Sequence, residues 1–424
     1  MTAIAIFGFA TITMAQNVRA WGTYYTGTGQ VWPNGEERGN SCITDAAGNV
    51  YMVGFTSSNS DIATAGAHQT VYAGGPIVFG TGGYDAFLVK FNSSGVRQWA
   101  TYYGGSQDDM GISCAVDASG NVYMIGSTSS TSGIATAGAH ETTINDGFLV
   151  KFNSNGVRQW GTYFEGNGNA CTTDASGNIY IVGLTNSTSG IATAGAHQTV
   201  MSGSGDAFLV KFNSSGVMQW GTYYGGAGVD IGYSCATDAS GNVYMSGGTQ
   251  STSGIATSGA HQTTINDAFL VCFNSSGVRQ SGTYYGGIKN VCTTDASGNV
   301  YMTGYTQSNS GIATTGAHQA VNGNSGYSDA FLVKFNGISL GINETINDKL
   351  FSIYPNPAQS IVNVKADAKL IGTVYTIYDN TGKVVLSGTI NAENTSVELG
   401  NLSVGIYLFS AGENVQQTFK VIKE

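Results

Sequence analysis

The sequence predicts an all-β chain made of a repeated four-strand unit with a smaller β-domain behind it, and three observations carry that prediction. The phrase Trp-Gly-Thr-Tyr-Tyr stands at Trp21 and Trp220 and returns with small changes at Trp99, Trp160 and Ser281, at spacings of 78, 61, 60 and 61 residues. Such a period belongs to architectures in which one unit cannot bury its apolar face alone and stacks on its neighbours. Composition agrees: only 10% of the 424 residues are charged, 62 are Gly and 23 are Tyr. Ser, Thr and Asn crowd the segments between short apolar runs, which suits many strands joined by frequent turns. No long 3.6-residue period appears anywhere.

In chain order, residues 1–15 are apolar, too short to cross a bilayer, and end in Thr13-Met14-Ala15 before Gln16, as an export signal does before its cleavage site. The basic n-region of such a signal is missing. Each repeat then offers four strand candidates. The first carries Cys-x-x-Asp, and the second follows Gly-Asn, as in Gly120-Asn121-Val122-Tyr123-Met124. The third is Asp-Ala-Phe-Leu-Val-Lys-Phe, as at Asp206 to Phe212, and the fourth is Val-Arg-Gln-Trp-Gly-Thr-Tyr-Tyr. Between first and second strands stands Asp-Ala-Ser-Gly-Asn, at Asp117, Asp174, Asp238 and Asp295, with a variant at Asp45. Asp bonds the backbone two residues on and Gly supplies a positive φ, so this is hairpin chemistry. Asn-Ser-Ser-Gly at Asn92, Asn213 and Asn274 does the same between third and fourth strands.

Five units of four antiparallel strands describe a β-propeller over residues 16–336, an architecture that leaves only short, protected edges. The last third-strand run, Asp329 to Phe335, has no fourth strand after it, whereas an unpartnered fourth strand, Val18-Arg19-Ala20-Trp21, opens the chain after residue 15. The expectation is that this N-terminal strand closes the ring by completing the fifth blade. The stretch Tyr103-Gly104-Gly105-Ser106-Gln107-Asp108-Asp109-Met110-Gly111, followed by Asp117 to Tyr123, resembles the SBBP propeller repeat of secreted bacterial proteins, and the resemblance extends over about residues 18–336. That family is named for seven blades, whereas five repeats are counted here.

Residues 337–349 read as a linker containing Gly and Asn, and from 350 to 424 the charge density rises and the period is lost. Strand candidates at Ile361–Lys365, Thr373–Tyr378, Val384–Ser387, Ser396–Leu399, Gly405–Phe409 and Gln417–Ile422 suit a small Ig-like β-sandwich. Four phrases recur in order: Tyr354-Pro355-Asn356-Pro357-Ala358; Ile377-Tyr378-Asp379 with Gly382-Lys383; Leu402 to Tyr407 with Gly405; and Phe419 to Glu424 with Lys420 and Lys423. Together they resemble the type A sorting domain of type IX secretion. The resemblance implies export from a Gram-negative bacterium, secreted or held on its outer-membrane surface. It further implies partners in the secretion machinery, a sorting peptidase that removes the tail, and a surface polysaccharide as a possible anchor.

Charge narrows the function. A formal charge of −10 with 16 scattered basic residues argues against a nucleic-acid surface, which needs clustered Lys and Arg. His68, His140, His197, His261 and His318 share one register, one per blade, which spreads them too widely to hold one metal ion and favours packing. Cys42, Cys114, Cys171, Cys235 and Cys292 each stand three residues before a turn Asp, which predicts reduced thiols packed between blades. Cys272 replaces the Lys of Lys90, Lys151, Lys211 and Lys334, a position that tolerates charge, so it is the expected exposed thiol.

The loops joining blades, with the long second-to-third-strand segments such as Ser129 to Thr143, are expected on one face. That face also collects the non-repeated charges Glu36, Glu37, Arg38, Asp108, Asp109, Glu165, Asp230 and Lys289. Glu37, Asp109 and Asp230 align in one column. Three acids around a channel mouth suit glycosidase chemistry or a hard cation such as Ca²⁺; the plainer reading is solvated turn caps. No Ser-His-Asp, metal-spaced or phosphate-binding motif accompanies them, so the expectation is a non-catalytic module without cofactor that binds a glycan or protein. The alternatives are a glycan-cleaving enzyme and a structural surface-layer or adhesion component.

Overall fold

The computed structural model describes residues 19–30, 36–75, 83–308, 310–323, 327–336, 351–379, 383–411 and 417–424; the export segment 1–15, Val18, the linker 337–349 and Gly382 lie outside them. The chain divides into two compact units, Met1–Gly337 and Ile338–Glu424. Among the described residues no helix is long and apolar enough to cross a membrane.

The first unit is a series of antiparallel sheets, each folded in sequence order as the turns dictate. Blade 1 pairs Glu37–Thr44, Val50–Thr56, Asp85–Phe91 and Arg97–Tyr103. Blade 2 runs from Asp109–Val116 to Arg158–Phe164, blade 3 from Asn167–Thr173 to Met218–Tyr224, and blade 4 from Asp230–Thr237 to Arg279–Tyr285. Blade 5 has three described strands, Ile288–Thr294, Val300–Thr306 and Asp329–Phe335. Apolar residues of second, third and fourth strands bury against the next blade: Tyr51, Leu88 and Tyr103 share one cluster with Met124, Phe148 and Phe152. Tyr180, Leu209 and Tyr224 meet Met245, Phe269 and Phe273 in the same way.

The turns work as their residues require. Asp117 accepts backbone bonds from Ser119 and Asn121, then a 2.8 Å bond from Asn121 Nδ2 and a 3.2 Å bond from Tyr123 Oη, while Gly120 takes φ +74°. One device ties successive blades. The fourth-strand indole donates to the third-to-fourth-strand turn of the following blade: Trp99 to Ser154 O (3.0 Å), Trp160 to Ser214 O (3.1 Å), Trp220 to Ser275 O (3.0 Å). Gly156 is needed there twice over, for its φ of +81° and because a Cβ would lie 2.7 Å from the Trp99 ring.

Two expectations are corrected. The Ser/Thr/Gly/Ala segments of blades 1 to 4 do not stand on a face; each lies along the outer strand of its own blade, as in Thr136 N to Gly161 O and Tyr163 N to Glu141 O. Their backbone groups satisfy an edge that would otherwise face water unpaired. Among the described residues the N-terminal closure is also not formed: residues 19–27 enter no ladder, and the fifth sheet ends at Asp329–Phe335. Trp21 lies instead on blade 1, donating to Ser93 O at 3.1 Å and packing 6.3 Å from Phe91.

The second unit is a sandwich. One sheet orders Phe351–Tyr354, Ile361–Ala366 and Asn394–Glu398; the other orders Val384–Thr389, Val374–Tyr378, Gly405–Ala411 and Gln417–Lys423. Val362, Val364, Ile377, Phe409 and Val421 fill its core, with Tyr375 stacked 4.9 Å from Phe409.

Candidate functional site

The acids of the aligned column occupy equivalent corners of three different blades. Each begins a first strand and faces a Thr-x-Ser corner at the end of the second. Asp109 accepts from Thr128, from Ser130 Oγ (2.7 Å) and from Gly105 N (2.7 Å). Asp230 accepts from Ser251 Oγ (2.7 Å) and Gly226 N (2.9 Å), and Glu37 from Thr56 (3.1 Å) and Ser58. They cap turns, but Asp109 and Asp230 are fully buried rather than solvated.

The structure does not bring the three together; it pairs two of them with acids that the sequence reading passed over. Asp85 and Asp206, which open the third strands of blades 1 and 3, are likewise fully buried. A side chain at Gly104 would put its Cβ 2.6 Å from Asp109 Oδ2 and 2.9 Å from Asp85 Oδ1, so those oxygens lie within the sum of the two lengths. Gly225 stands between Asp230 and Asp206 in the same manner. The backbone holds each pair: Asp109 N donates to Tyr84 O and Asp230 N to Gly205 O, at 2.8 and 2.9 Å.

Long second-to-third loops bury the partner acid. Gln69 and Ala73 N donate to Asp85 Oδ2; Gln198 and Ser202 N donate to Asp206 Oδ2. Among the described residues Asp85 Oδ1 has no hydrogen-bond partner. Loss of water, opposed by the Ala73 N–H and reinforced by Asp109, pushes the Asp85 carboxyl up to about 7. Burial likewise raises Asp109 and Asp230. The signal that could have found these pairs is loop length: blades 1 and 3 lengthen the loop before the third strand, and blades 2 and 4 lengthen the one before the first.

Two neighbouring carboxyl groups are what a glycosidase needs, yet full burial keeps any sugar from this pair. Among the described residues no three His, Cys, Asp or Glu side chains converge as a metal site needs. Four of the histidines lie against rings of the next blade: His68 is 5.8 Å from Phe152, His140 5.4 Å from Phe212, His197 5.9 Å from Phe273 and His261 6.0 Å from Phe335. Loss of water, then the Arg158 guanidinium, pushes His68 down to about 4, and Arg279 acts likewise on His197.

Cys114, Cys171 and Cys235 are buried at blade junctions, with Cys114 Sγ 3.6 Å from Ser41 Oγ of the preceding blade. Cys272 is buried, against expectation, and Cys42 is the exposed thiol. The reason lies in the lysines that Cys272 replaces. Lys151 buries its stem and ends 5.1 Å over the Tyr123 ring, 3.0 Å from Ser214 O and 3.9 Å from Asp117, so only its tip is polar.

Accessible concavities occur beside the indole ties instead. One cleft of 370 Å³ is lined by the segment from Thr64 to His68, Trp99, and Asn155 to Arg158 of the next blade. Its counterpart of 560 Å³ is lined by Asn178, Thr193, Lys211, Gln219, Trp220 and Ser275.

In the second unit the sorting phrases meet at the last strand. Asn356 donates to Lys420 O (2.6 Å) and accepts from Ile422 N (2.8 Å), Ala358 N bonds Ile422 O, and Glu424 N bonds Ala358 O. Pro355 and Pro357 follow cis peptide bonds. Lys383 N closes a turn on Asp379, and the buried Tyr407 donates to Ser403 O, one turn before Gly405. Lys420 is exposed and Lys423 half-buried.

Comparison with known proteins gives the same division. Residues 352–424 match the family described as a secretion system C-terminal sorting domain, and residues 98–133 match the SBBP β-propeller repeat. Regulatory protein FlaEY of Caulobacter vibrioides is 28% identical over 182 residues, which span 41% of this chain and 18% of that protein. A protein of unknown function from Bacteroides caccae overlays with TM-score 0.34 at 11% identity, covering 64% of this chain and 72% of that one. PorZ, a surface component of the type IX secretion system of Porphyromonas gingivalis, overlays with TM-score 0.24 at 13% identity, covering 89% and 58%. Overlays this loose transfer no residue role. The chain thus carries SBBP-type β-propeller repeats ahead of a type IX secretion sorting domain, which marks it for export to the cell surface or the extracellular space.

Proposed function

We propose that the propeller is a non-catalytic binding module, displayed after type IX export, that takes a hydroxyl-rich glycan in its repeated blade-junction clefts. The observation that carries this reading is the recurrence of shared features at two junctions: an indole, a Thr-Ala pair of the segment along the outer strand (Thr64-Ala65 and Thr193-Ala194), and the third-to-fourth-strand turn of the following blade. A ring face beside hydrogen-bond donors and acceptors is the chemistry that holds sugar rings. A repeated module also gains avidity when one polymer bridges two clefts. The sorting peptidase then removes the tail, leaving the propeller released or joined to surface polysaccharide.

The test is a screen of the full chain and its Trp99→Ala/Trp220→Ala variant against a polysaccharide panel, scoring retention and reducing ends. Retention that falls at least about tenfold in the variant, with no reducing-end release, supports the reading. Release abolished by Glu37→Gln/Asp109→Asn/Asp230→Asn would replace it with a glycan-cleaving enzyme. Mass spectrometry of chains from the producing cell tests the export half, which intact cytoplasmic chains ending in Lys423-Glu424 would refute.

A further inference from the structure

We propose that the junctions between blades 1 and 2 and between blades 3 and 4 select an acidic glycan, one whose sugar rings carry carboxylates, by forking a carboxylate on Arg158 at the first and on Arg279 at the second. This inference rests on the glycan reading of the junction clefts and names the class of sugar that they take.

Arg158 lines the first cleft together with Trp99 and the segment that ends in His68. Its Nη1 donates to Gly133 O at 3.2 Å and to Ile134 O at 3.5 Å, which holds the planar group in place. Nε and Nη2 have no hydrogen-bond partner among the described residues, and no carboxylate there lies within ion-pair distance of the guanidinium. A half-buried cation that has given up part of its water gains from an anion beside it. The open edge is also the right one, because two N–H groups in a fixed plane match the two oxygens of a carboxylate.

The arrangement occurs twice. Arg279 Nη1 donates to Gly254 O at 3.2 Å and to Ile255 O at 3.4 Å. Gly156 and Gly277, in the turns that touch the two indoles, both take φ +81°, and His197 lies 5.9 Å from Phe273 as His68 lies 5.8 Å from Phe152. Loss of water and the neighbouring guanidinium push both histidines down to about 4, so at neutral pH the arginines supply the charge.

The junction between blades 2 and 3 stands between these two and reverses the sign. Met218 takes the register of the arginines, pairing with Phe212 as Arg158 pairs with Phe152 and Arg279 with Phe273. Glu141 follows His140 where Gln69 and Gln198 follow the other two histidines. Glu165 packs at Gly190, the counterpart of Gly133, where an added Cβ would lie 3.2 Å from the Glu165 Cβ. An unpaired cation thus recurs at two junctions of a chain of net charge −10 and is missing from the one between them, so it marks particular sites and not the general surface. A uronic acid residue presents to such a site both things it offers partners for, an apolar ring face for the indole and a planar carboxylate for the fork.

The test measures retention of the full chain on two uronic-acid polymers, polygalacturonate and alginate, each beside its methyl ester, and on dextran sulfate. Arg158→Gln/Arg279→Gln keeps an amide that can reach the same carbonyls, and a thermal midpoint equal to the parent's confirms folding. At least one acidic polymer is expected to be held at least about tenfold more tightly than its ester, and the double variant should fall to the ester's level without losing affinity for the ester. Equal retention of acid and ester, no retention of either acidic polymer, an equal loss for both forms in the variant, or tighter retention of dextran sulfate would each overturn the carboxylate assignment while leaving the glycan reading standing. Trp99→Ala/Trp220→Ala chains that hold every polymer as the parent does would remove the glycan reading, and this inference with it.

Discussion

The third strands of blades 3 and 5 are the same heptapeptide, Asp-Ala-Phe-Leu-Val-Lys-Phe, and the structure gives them opposite fates. Every residue of Asp206–Phe212 is buried, whereas in Asp329–Phe335 only the first phenylalanine is. What differs is the neighbours: a fourth strand on one side and a following blade on the other. A strand in this fold draws its stability from the two surfaces that sandwich it, as expected of a chain whose units stack in one dimension.

The sharpest way to break that comparison is to truncate the same leucine twice. Leu209→Ala should cost about 3 kcal/mol in denaturant unfolding, because it leaves a cavity in a closed cluster. Leu332→Ala should cost under about 0.5 kcal/mol in dilute chains. Equal losses would mean that the end strand is covered.

A smaller effect separates the buried carboxylate pairs from the open end. Asp85 titrates near 7 in the folded chain and near 3.9 once unfolded, so the folded state holds this proton more tightly. Stability on this account is greatest at acid pH, falls as pH rises from about 4 toward 7, and is flat above. Asp85→Asn, whose amide can donate to Asp109, should raise stability by about 2 kcal/mol at pH 8 and flatten that slope, read by thermal melts across pH 4–9. Asp329→Asn, with no carboxylate packed beside it among the described residues, is the control.

Next in size, Asp117→Ala should cost about 1.5 kcal/mol, since it strips two backbone and two side-chain donors of their acceptor. The same change at Asp45, on the exposed edge of blade 1, should cost about half as much. The least disruptive probe is thiol labelling of the native chain. Cys42 should react within minutes, while Cys114 and Cys272, whose thiols burial pushes up to about 12, should stay silent until the chain unfolds.

Strands and turns were legible because their rules are local. Asp117 and Gly120 specify a hairpin wherever they stand, and the continuous apolar run from Ala207 to Val210 marks a buried ladder. The path of Ser129 to Thr143 was not, since a polar segment without period has no face to declare, and its hydrogen bonds go to a strand more than twenty residues away. Cys272 misled because the lysines it replaces are judged by their charged tips, although most of each side chain is buried stem. The column of Glu37, Asp109 and Asp230 was found by alignment, but alignment ranks equivalent positions in different blades and is blind to which blades touch. Hence Asp85 and Asp206 went unnoticed beside two of them.

The indole ties have a bearing on how the chain acquires its structure. Between interior blades each joins residues 54 or 55 positions apart, from one repeat to the next and never beyond. The chain can therefore fold like a zip, adding one blade to a finished neighbour and closing only loops of about one repeat's length at each step. Each tryptophan waits for the turn that follows it, so growth from the N-terminus leaves a single open tooth at the advancing end, in the order in which a polypeptide emerges from a ribosome or a translocation pore.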